Sequence, residues 1–246
     1  MKPLTNKVAI VTGASRSIGR AIAERLAQDG ATVVINYRSG ADEAKEVIES
    51  IKSQGGQAIA IQADVSQVSD IRRLFQTVID QFGQLDILVN NAGIARTALV
   101  SEVTEEDYEA VFGINVRGVL FCLQEAARQM SDNGRIVNVS SSASVFPSPG
   151  VAVYAASKAA EKLFTEVLAK ELGGRGITVN SVLPGPTSPG MFDSVSPEYK
   201  QAAAMSSPFA RLGQPEDIAD VVAFLVSEQA RWITGQHILA NGGATI

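Results

Sequence analysis

The sequence predicts an α/β fold in which a doubly wound, parallel sheet of seven strands is wrapped on both faces by helices. Short β-branched runs alternate with longer segments of helical periodicity along all 246 residues, the order that parallel crossover units produce. The short runs are apolar at consecutive positions, as strands covered on both faces are. A glycine-rich turn stands between the first such run and the first helical segment.

Taken in order, Val8–Thr12, Thr32–Asn36, Ala58–Ile61 and Asp86–Asn90 read as the first four strands, and Arg135–Val139, Ile177–Val182 and Gln236–Ala240 as three more. Between them Ile18–Gln28, Asp42–Gln54, Ser69–Phe82, Glu105–Met130, Val153–Leu172 and Glu216–Val226 place apolar residues at helical spacing. Gly83 and Gly173-Gly174 stand where helices should stop. Nothing between the elements has the composition of a linker, so residues 1–246 are expected to form a single nucleotide-binding domain, ordered throughout except near Met191 to Ser207.

Composition narrows the function. A net charge of −5 with acids and bases interspersed offers no basic stripe for nucleic acid and no basic amphipathic segment for a membrane surface. No stretch is read as spanning a bilayer, and the N-terminal residues lead straight into the first strand without a secretory signal, so a cytoplasmic location is expected. One Cys and one His leave almost no ligands for zinc, and no metal is expected. Cys122, inside the apolar run Val119–Leu123, reads as a small core residue.

A sheet of this kind binds ligands beyond the carboxyl ends of its strands. After the first strand comes Thr12-Gly13-Ala14-Ser15-Arg16-Ser17-Ile18-Gly19, whose glycines would let the backbone approach a pyrophosphate at a helix N-terminus; this is a Rossmann-type arrangement. The second strand ends in Asn36-Tyr37-Arg38, without the carboxylate that would hydrogen-bond the ribose of NAD. Arg16 and Arg38 can bracket a 2′-phosphate instead, which favours NADP(H) over NAD(H); the alternative is a pair of solvated arginines.

Tyr154-Ala-Ala-Ser-Lys158 opens a helix and sets phenol and ammonium one turn apart on one face. A cation about 4 Å away at an effective dielectric near 20 is worth up to about 4 kcal/mol, enough to make the phenol a workable general acid or base. Such a pair can equally be incidental. Against that stand the hydroxyls of Ser140, Ser141 and Ser142 at the end of the fifth strand, and the small-residue turn Asn90-Asn91-Ala92-Gly93 after the fourth.

With these residues in order, together with Asn115 and Pro184-Gly185, the sequence closely resembles the short-chain dehydrogenase/reductase family over essentially its whole length. Within that family it is most similar to 3-oxoacyl-[acyl-carrier-protein] reductases and related carbonyl reductases, a placement supported by Arg211–Ala219 and Ile233–Gly243. The resemblance implies that Tyr154 donates the proton, that Lys158 makes it more acidic and holds the nicotinamide ribose, and that Ser141, thirteen residues before Tyr154, anchors the carbonyl. Asn115 would hold a water linking Lys158 to solvent, a role compatible with its also bending its helix through bonds to backbone. Gly13, Ser15, Arg16, Ser17, Ile18 and Gly19 would hold the phosphates. Asp64 and Val65 would border the adenine, Asn91, Ala92 and Gly93 would line the cofactor, and Pro184, Gly185 and Thr187 would meet the carboxamide. Two departures stand out: Ser17 replaces a central glycine, and Pro189 stands where relatives often place threonine. Altered cofactor binding is expected from them.

The expected chemistry is reduction of a ketone or aldehyde by NADPH, with an alcohol or sugar dehydrogenase as a second reading and a non-catalytic NADP(H) sensor as a third. Val145, Phe146, Pro147 and Val151, with a cover near 188–208 carrying Met191 and Phe192, and Phe209 just beyond it, would enclose a small-molecule carbonyl or alcohol. An acyl carrier protein is the other candidate partner. The acidic turn Ser131-Asp132-Asn133-Gly134 argues against it, and Arg96, Arg128 and Arg175 are the residues that would compensate. The resemblance also implies a homotetramer built on 105–130 and 153–172.

Overall fold

A computed structural model describes residues 2–244, with the side chain of Ser194 excepted. Its strands are β1 (Val8–Val11), β2 (Thr32–Tyr37), β3 (Gln57–Gln62), β4 (Ile87–Asn90), β5 (Arg135–Val139), β6 (Thr178–Pro184) and β7 (His237–Ala240). They form one parallel sheet in the order β3-β2-β1-β4-β5-β6-β7. The order reverses between β1 and β4, which opens a crevice at their carboxyl ends.

The helices are α1 (Ser17–Gln28), α2 (Ala41–Ser53), α3 (Val68–Phe82), α4 (Glu105–Phe112), α5 (Val119–Gln129), α6 (Ala152–Leu172), α7 (Pro197–Met205) and α8 (Pro215–Val226). Side chains alternate across each strand, so one apolar run feeds two cores. Ala9, Val11, Val33 and Ile35 face α1, α2 and α8, while Val8, Ile10, Val34 and Leu88 face α3, α5 and α6. Each fully buried side chain such as Leu26, Leu74 or Phe75 contributes about 1.5–3 kcal/mol. Cys122 lies in the second core, where burial first and Glu125 second push its thiol up to about 12.

Several expectations are corrected by packing. The segment 105–129 is one continuous run of helix, but Gly113–Gly118 winds as a π turn between α4 and α5. Glu105–Gln129 is also long and apolar enough to meet the length and composition of a membrane span, contrary to the sequence reading; its apolarity serves contacts with α3 and α6, and over half of its most apolar stretch is buried inside the protein. Gly173-Gly174 does not reverse the chain: both enter a 3-10 turn, and Gly176, at φ +67°, makes the reversal. The segment 188–208 carries regular structure, a 3-10 turn Met191–Ser194 followed by α7, which Ser196 caps through Tyr199 N.

The π turn is held close to the third strand's exit. A methyl group on Gly118 would stand 2.5 Å from the Val65 carbonyl oxygen, a backbone atom that cannot rotate away. Gly118→Ala is expected to destabilise the protein by about 1–3 kcal/mol, lowering the thermal midpoint by several degrees. A thermal denaturation curve identical to wild type would reject this packing.

Candidate active site

Four loops at the carboxyl ends of β1, β4, β5 and β6 converge on the crevice. The turn after β1 is built from its backbone outward. Thr12 Oγ1 accepts from Asn91 N at 2.9 Å and Ala92 N at 3.0 Å, which joins the turns after β1 and β4. Asn91 Nδ2 donates to Thr12 O and Gly13 O at 2.9 and 3.1 Å. A methyl group on Gly19 would lie 2.4 Å from Gly13 O and 2.5 Å from Asn91 Nδ2, so only glycine permits this closure. No side chain caps α1 at Arg16, and its first N–H groups face the turn with the positive end of the helix dipole. These features fit a phosphate-bearing cofactor.

The predicted cofactor residues divide into two sets. Asn36 is buried, and its amide is spent on the protein: Oδ1 accepts from Gly13 N, while Nδ2 donates to Ile61 O and Ala63 O. It is a strut behind the turn, and the same is true of Asn91's side chain. Thr187 is also turned inward, donating to Gly185 O at 2.9 Å. Asp64 accepts from Ser66 N, and Val65 is buried at its side. Ser15, Tyr37 and Gly93 are partly open, Pro184 ends β6, and Gly185 is pressed against Asn241. Arg16 and Arg38 are exposed, and no carboxylate lies within ion-pair distance of either among the described residues. Two guanidinium groups left unpaired beside the turn suit a phosphate.

The two departures found in the sequence meet in space. Ser17 holds a left-handed backbone at φ +50°, the conformation glycine would adopt without cost. Its hydroxyl donates to Pro189 O at 2.6 Å. The glycine-rich turn is thereby tied to the segment after β6, and Gly190 follows because a side chain there would collide with Ser17 Oγ.

The catalytic candidates gather at the exits of β4 and β5. Lys158 is buried, with Nζ donating to Val139 O at 2.9 Å and Glu161 Oε1 at 2.6 Å. A methyl group on Gly93 would stand 3.4 Å from that Nζ and 3.3 Å from Asn115 Oδ1. Burial alone would lower the Lys158 ammonium, but Glu161 and then Tyr154 outweigh it and hold it above its ordinary value. Tyr154 is half-buried at the start of α6 and close enough to Lys158 to act on it electrostatically. Ser141 Oγ accepts from Ala143 N and donates to no group among the described residues, whereas Ser140 Oγ is committed to Lys158 O. Asn115 is fully buried in the π turn; Oδ1 accepts from Ile94 N and Nδ2 donates to Ile94 O and Ser157 Oγ. These are the bonds of an asparagine that bends its helix, an arrangement compatible with a water-holding role as well.

Three participants escaped the sequence reading. Thr12 joins two loops. Ser157 ties Asn115 to Tyr154, donating to the Tyr154 carbonyl at 2.7 Å. Glu161 pairs with Lys158. The available signal was the stripe Lys158, Glu161, Thr165, Ala169 and Leu172, which shares one helical face and should be apolar if it faces the core.

A family model described as Enoyl-(Acyl carrier protein) reductase matches residues 13–245. A short-chain dehydrogenase from Burkholderia cenocepacia, solved with NADP, superposes with a TM-score of 0.95 at 42% identity, covering 99% of this chain and 100% of that one. The chain belongs to the short-chain dehydrogenase/reductase family. It is an oxidoreductase acting at C=O or CH–OH groups. A 3-oxoacyl-[acyl-carrier-protein] reductase of Staphylococcus aureus is 45% identical over 239 residues, covering 96% of this chain and 97% of its own. The angucycline C-6 ketoreductase LanV, solved with NADP, has a TM-score of 0.93 at 44% identity, covering 98% and 96%.

Burial pushes the Glu161 carboxyl up to about 7 against the pull of Lys158. A carboxyl raised in the folded state stabilises the fold below its ordinary range, and that contribution is lost as pH rises through about 7. Thermal stability should therefore fall over about pH 5–7 through this group, and Glu161→Gln should flatten that part of the curve. An unchanged slope in the variant would show that the carboxyl is not raised.

Proposed function

We propose that this short-chain dehydrogenase/reductase reduces a small ketone or aldehyde with NADPH, preferred over NADH. The single observation that carries the reading is the buried Lys158 ammonium set between Tyr154 and the Gly93 turn, in the crevice that the glycine-rich turn also borders. When bound, NADPH supplies the hydride. Tyr154 donates its proton where negative charge grows on the carbonyl oxygen, and Ser141 adds a second hydrogen bond there. Lys158 keeps one N–H beyond those spent on Val139 and Glu161, and this would reach the nicotinamide ribose. Arg16 and Arg38 hold the 2′-phosphate, with Ser15, Ser17, Ile18 and Gly19 around the pyrophosphate. Asn115 orders the floor beneath Lys158, where a water would resupply protons.

A free small molecule is favoured over a carrier-borne thioester. Arg128 pairs with Glu125 at 3.2 Å and Arg175 with Asp132 at 2.8 Å, and both stand near the turns that precede β5 and β6, at the end of the sheet opposite the crevice. Parallel strands put the turn before a strand and the turn after it at opposite ends, so Arg128 and Arg175 cannot compensate at the crevice. Arg96, which does follow β4, pairs with Asp107 at 3.5 Å. By contrast Val145, Met205 and Phe209 are exposed around the segment 188–208, as an apolar substrate cover requires. The exposed Leu120, Leu163 and Val167 on α5 and α6 support assembly into a homotetramer, which light scattering would test.

Tyr154→Phe should retain NADPH affinity while turnover on a ketone panel falls at least about 100-fold; near-normal turnover would reject its role. Arg16→Ala and Arg38→Ala should each weaken NADPH binding by about 10- to 100-fold and leave NADH nearly unchanged, as read by fluorescence titration. Equal losses for both cofactors would refute the 2′-phosphate assignment.

A further inference from the structure

Glu161 lies one turn beyond Lys158, fully buried, and no step of the reading above uses it. Its Oε1 accepts from the Lys158 ammonium at 2.6 Å, while Oε2 is buried with no hydrogen-bond partner among the described residues. A buried carboxylate normally satisfies both oxygens, because an unpaired charge away from water is costly. Behind the pair runs an uncharged chain: Thr165 Oγ1 donates to Glu161 O, Asn138 Nδ2 to Thr165 Oγ1, and Asn90 Nδ2 to Asn138 Oδ1.

The elements packed against this part of α6 bring no competing charge. On α4, Asp107 is drawn to Arg96 and its other acids are exposed. In the π turn Arg117 donates to Ser66 O; on α5 Glu125 pairs with Arg128; Arg135 lies at the far end of β5. β6 carries no ionisable side chain. Lys158 is left as the one charge acting on Glu161, and Glu161 and Tyr154 as the two groups acting on Lys158.

We propose that Glu161 is a positioning residue: its carboxylate is the counter-charge of Lys158, and its own ionisation sets how much of the ammonium's charge reaches the Tyr154 hydroxyl. The inference rests on the reading of Tyr154 and Lys158 as the proton-donating pair. With Glu161 ionised, the pair behind the phenol is neutral overall, and the phenol keeps its proton for delivery to a carbonyl. With Glu161 protonated on the unpartnered oxygen, the ammonium acts in full and favours the phenolate, the form that accepts a proton from an alcohol. Burial places this change near neutrality, at about 7. Glu161 thus biases the site toward reduction above that pH.

The test is a pair of pH profiles of kcat/KM, for ketone reduction with NADPH and alcohol oxidation with NADP, on wild type, Glu161→Gln and Glu161→Asp. Gln keeps the size and an acceptor for Lys158 but removes the charge; Asp keeps the charge. In Glu161→Gln the alkaline limb of reduction and the acid limb of oxidation should both move down by about one pH unit, equivalent to about tenfold faster oxidation on that limb. Glu161→Asp should return both limbs toward wild type. Limbs that stay in place in Glu161→Gln, whatever happens to kcat, would reduce Glu161 to a structural residue. Should the Gln variant fail to fold, infrared titration of wild-type protein carrying carbon-13 glutamate must show a buried carboxylic acid ionising near neutrality, and its absence overturns the proposal. A wild-type protein that binds NADPH but reduces no ketone overturns the functional reading itself, a distinct result.

Discussion

The burial of the Lys158 ammonium beneath the carboxyl ends of the central strands is the constraint on which the site depends. An ammonium away from water must find acceptors, and here they come from two directions, the Val139 carbonyl at the exit of β5 and the Glu161 carboxylate on the same helix. Those contacts fix the angle at which α6 leaves the sheet. Because Tyr154 is one turn earlier on that helix, fixing Lys158 also fixes the backbone that carries the phenol. Asn115 and Ser157 complete the brace from the side: the π turn brings Asn115 into the core, and its amide holds both the loop after β4 and the second turn of α6.

The nucleotide side of the crevice follows another logic. There the side chains nearest the glycine-rich turn are mostly struts. Asn36, Asn91 and Thr12 spend their polar atoms on backbone groups, leaving the N–H groups at the start of α1 and two surface guanidinium groups to meet an anion. A rigid cradle lined by main chain suits a ligand whose phosphates need donors at fixed positions. Ser17 departs from this economy, accepting a left-handed backbone in exchange for a hydrogen bond to Pro189. The bond joins the phosphate turn to the segment expected to cover the substrate, and the two departures from the family pattern are one contact.

Much of this was legible in the sequence. The strands could be read because a strand buried on both faces is apolar at every position, and the glycines because only that residue survives a methyl-sized gap of 2.4 Å, as at Gly19. Tyr154 and Lys158 could be paired because helical geometry alone sets residues four apart on one face. Composition carries no direction: Asp132, Arg128 and Arg175 weigh for or against an acidic partner in the sequence, although a turn preceding a parallel strand lies at the opposite end from the crevice. The apolarity of 105–129 equally fits a membrane span or a core helix, and packing against α3 and α6 decides for the latter in this fold.

The sequence by itself determined the layer order, the crevice and the pairing of Tyr154 with Lys158, since these follow from periodicities and spacings that are local along the chain, while Ser141 and Asn115 were singled out by the family resemblance. Tertiary structure alone decided which polar side chains stay open at the crevice and which are turned inward, as with Asn36 and Thr187. It also decided that Ser17 meets Pro189 and that Glu161 stands behind Lys158 with one oxygen unpaired. These outcomes depend on contacts between segments distant in sequence and on the loss of water around them. Neither quantity is carried by any single stretch of residues.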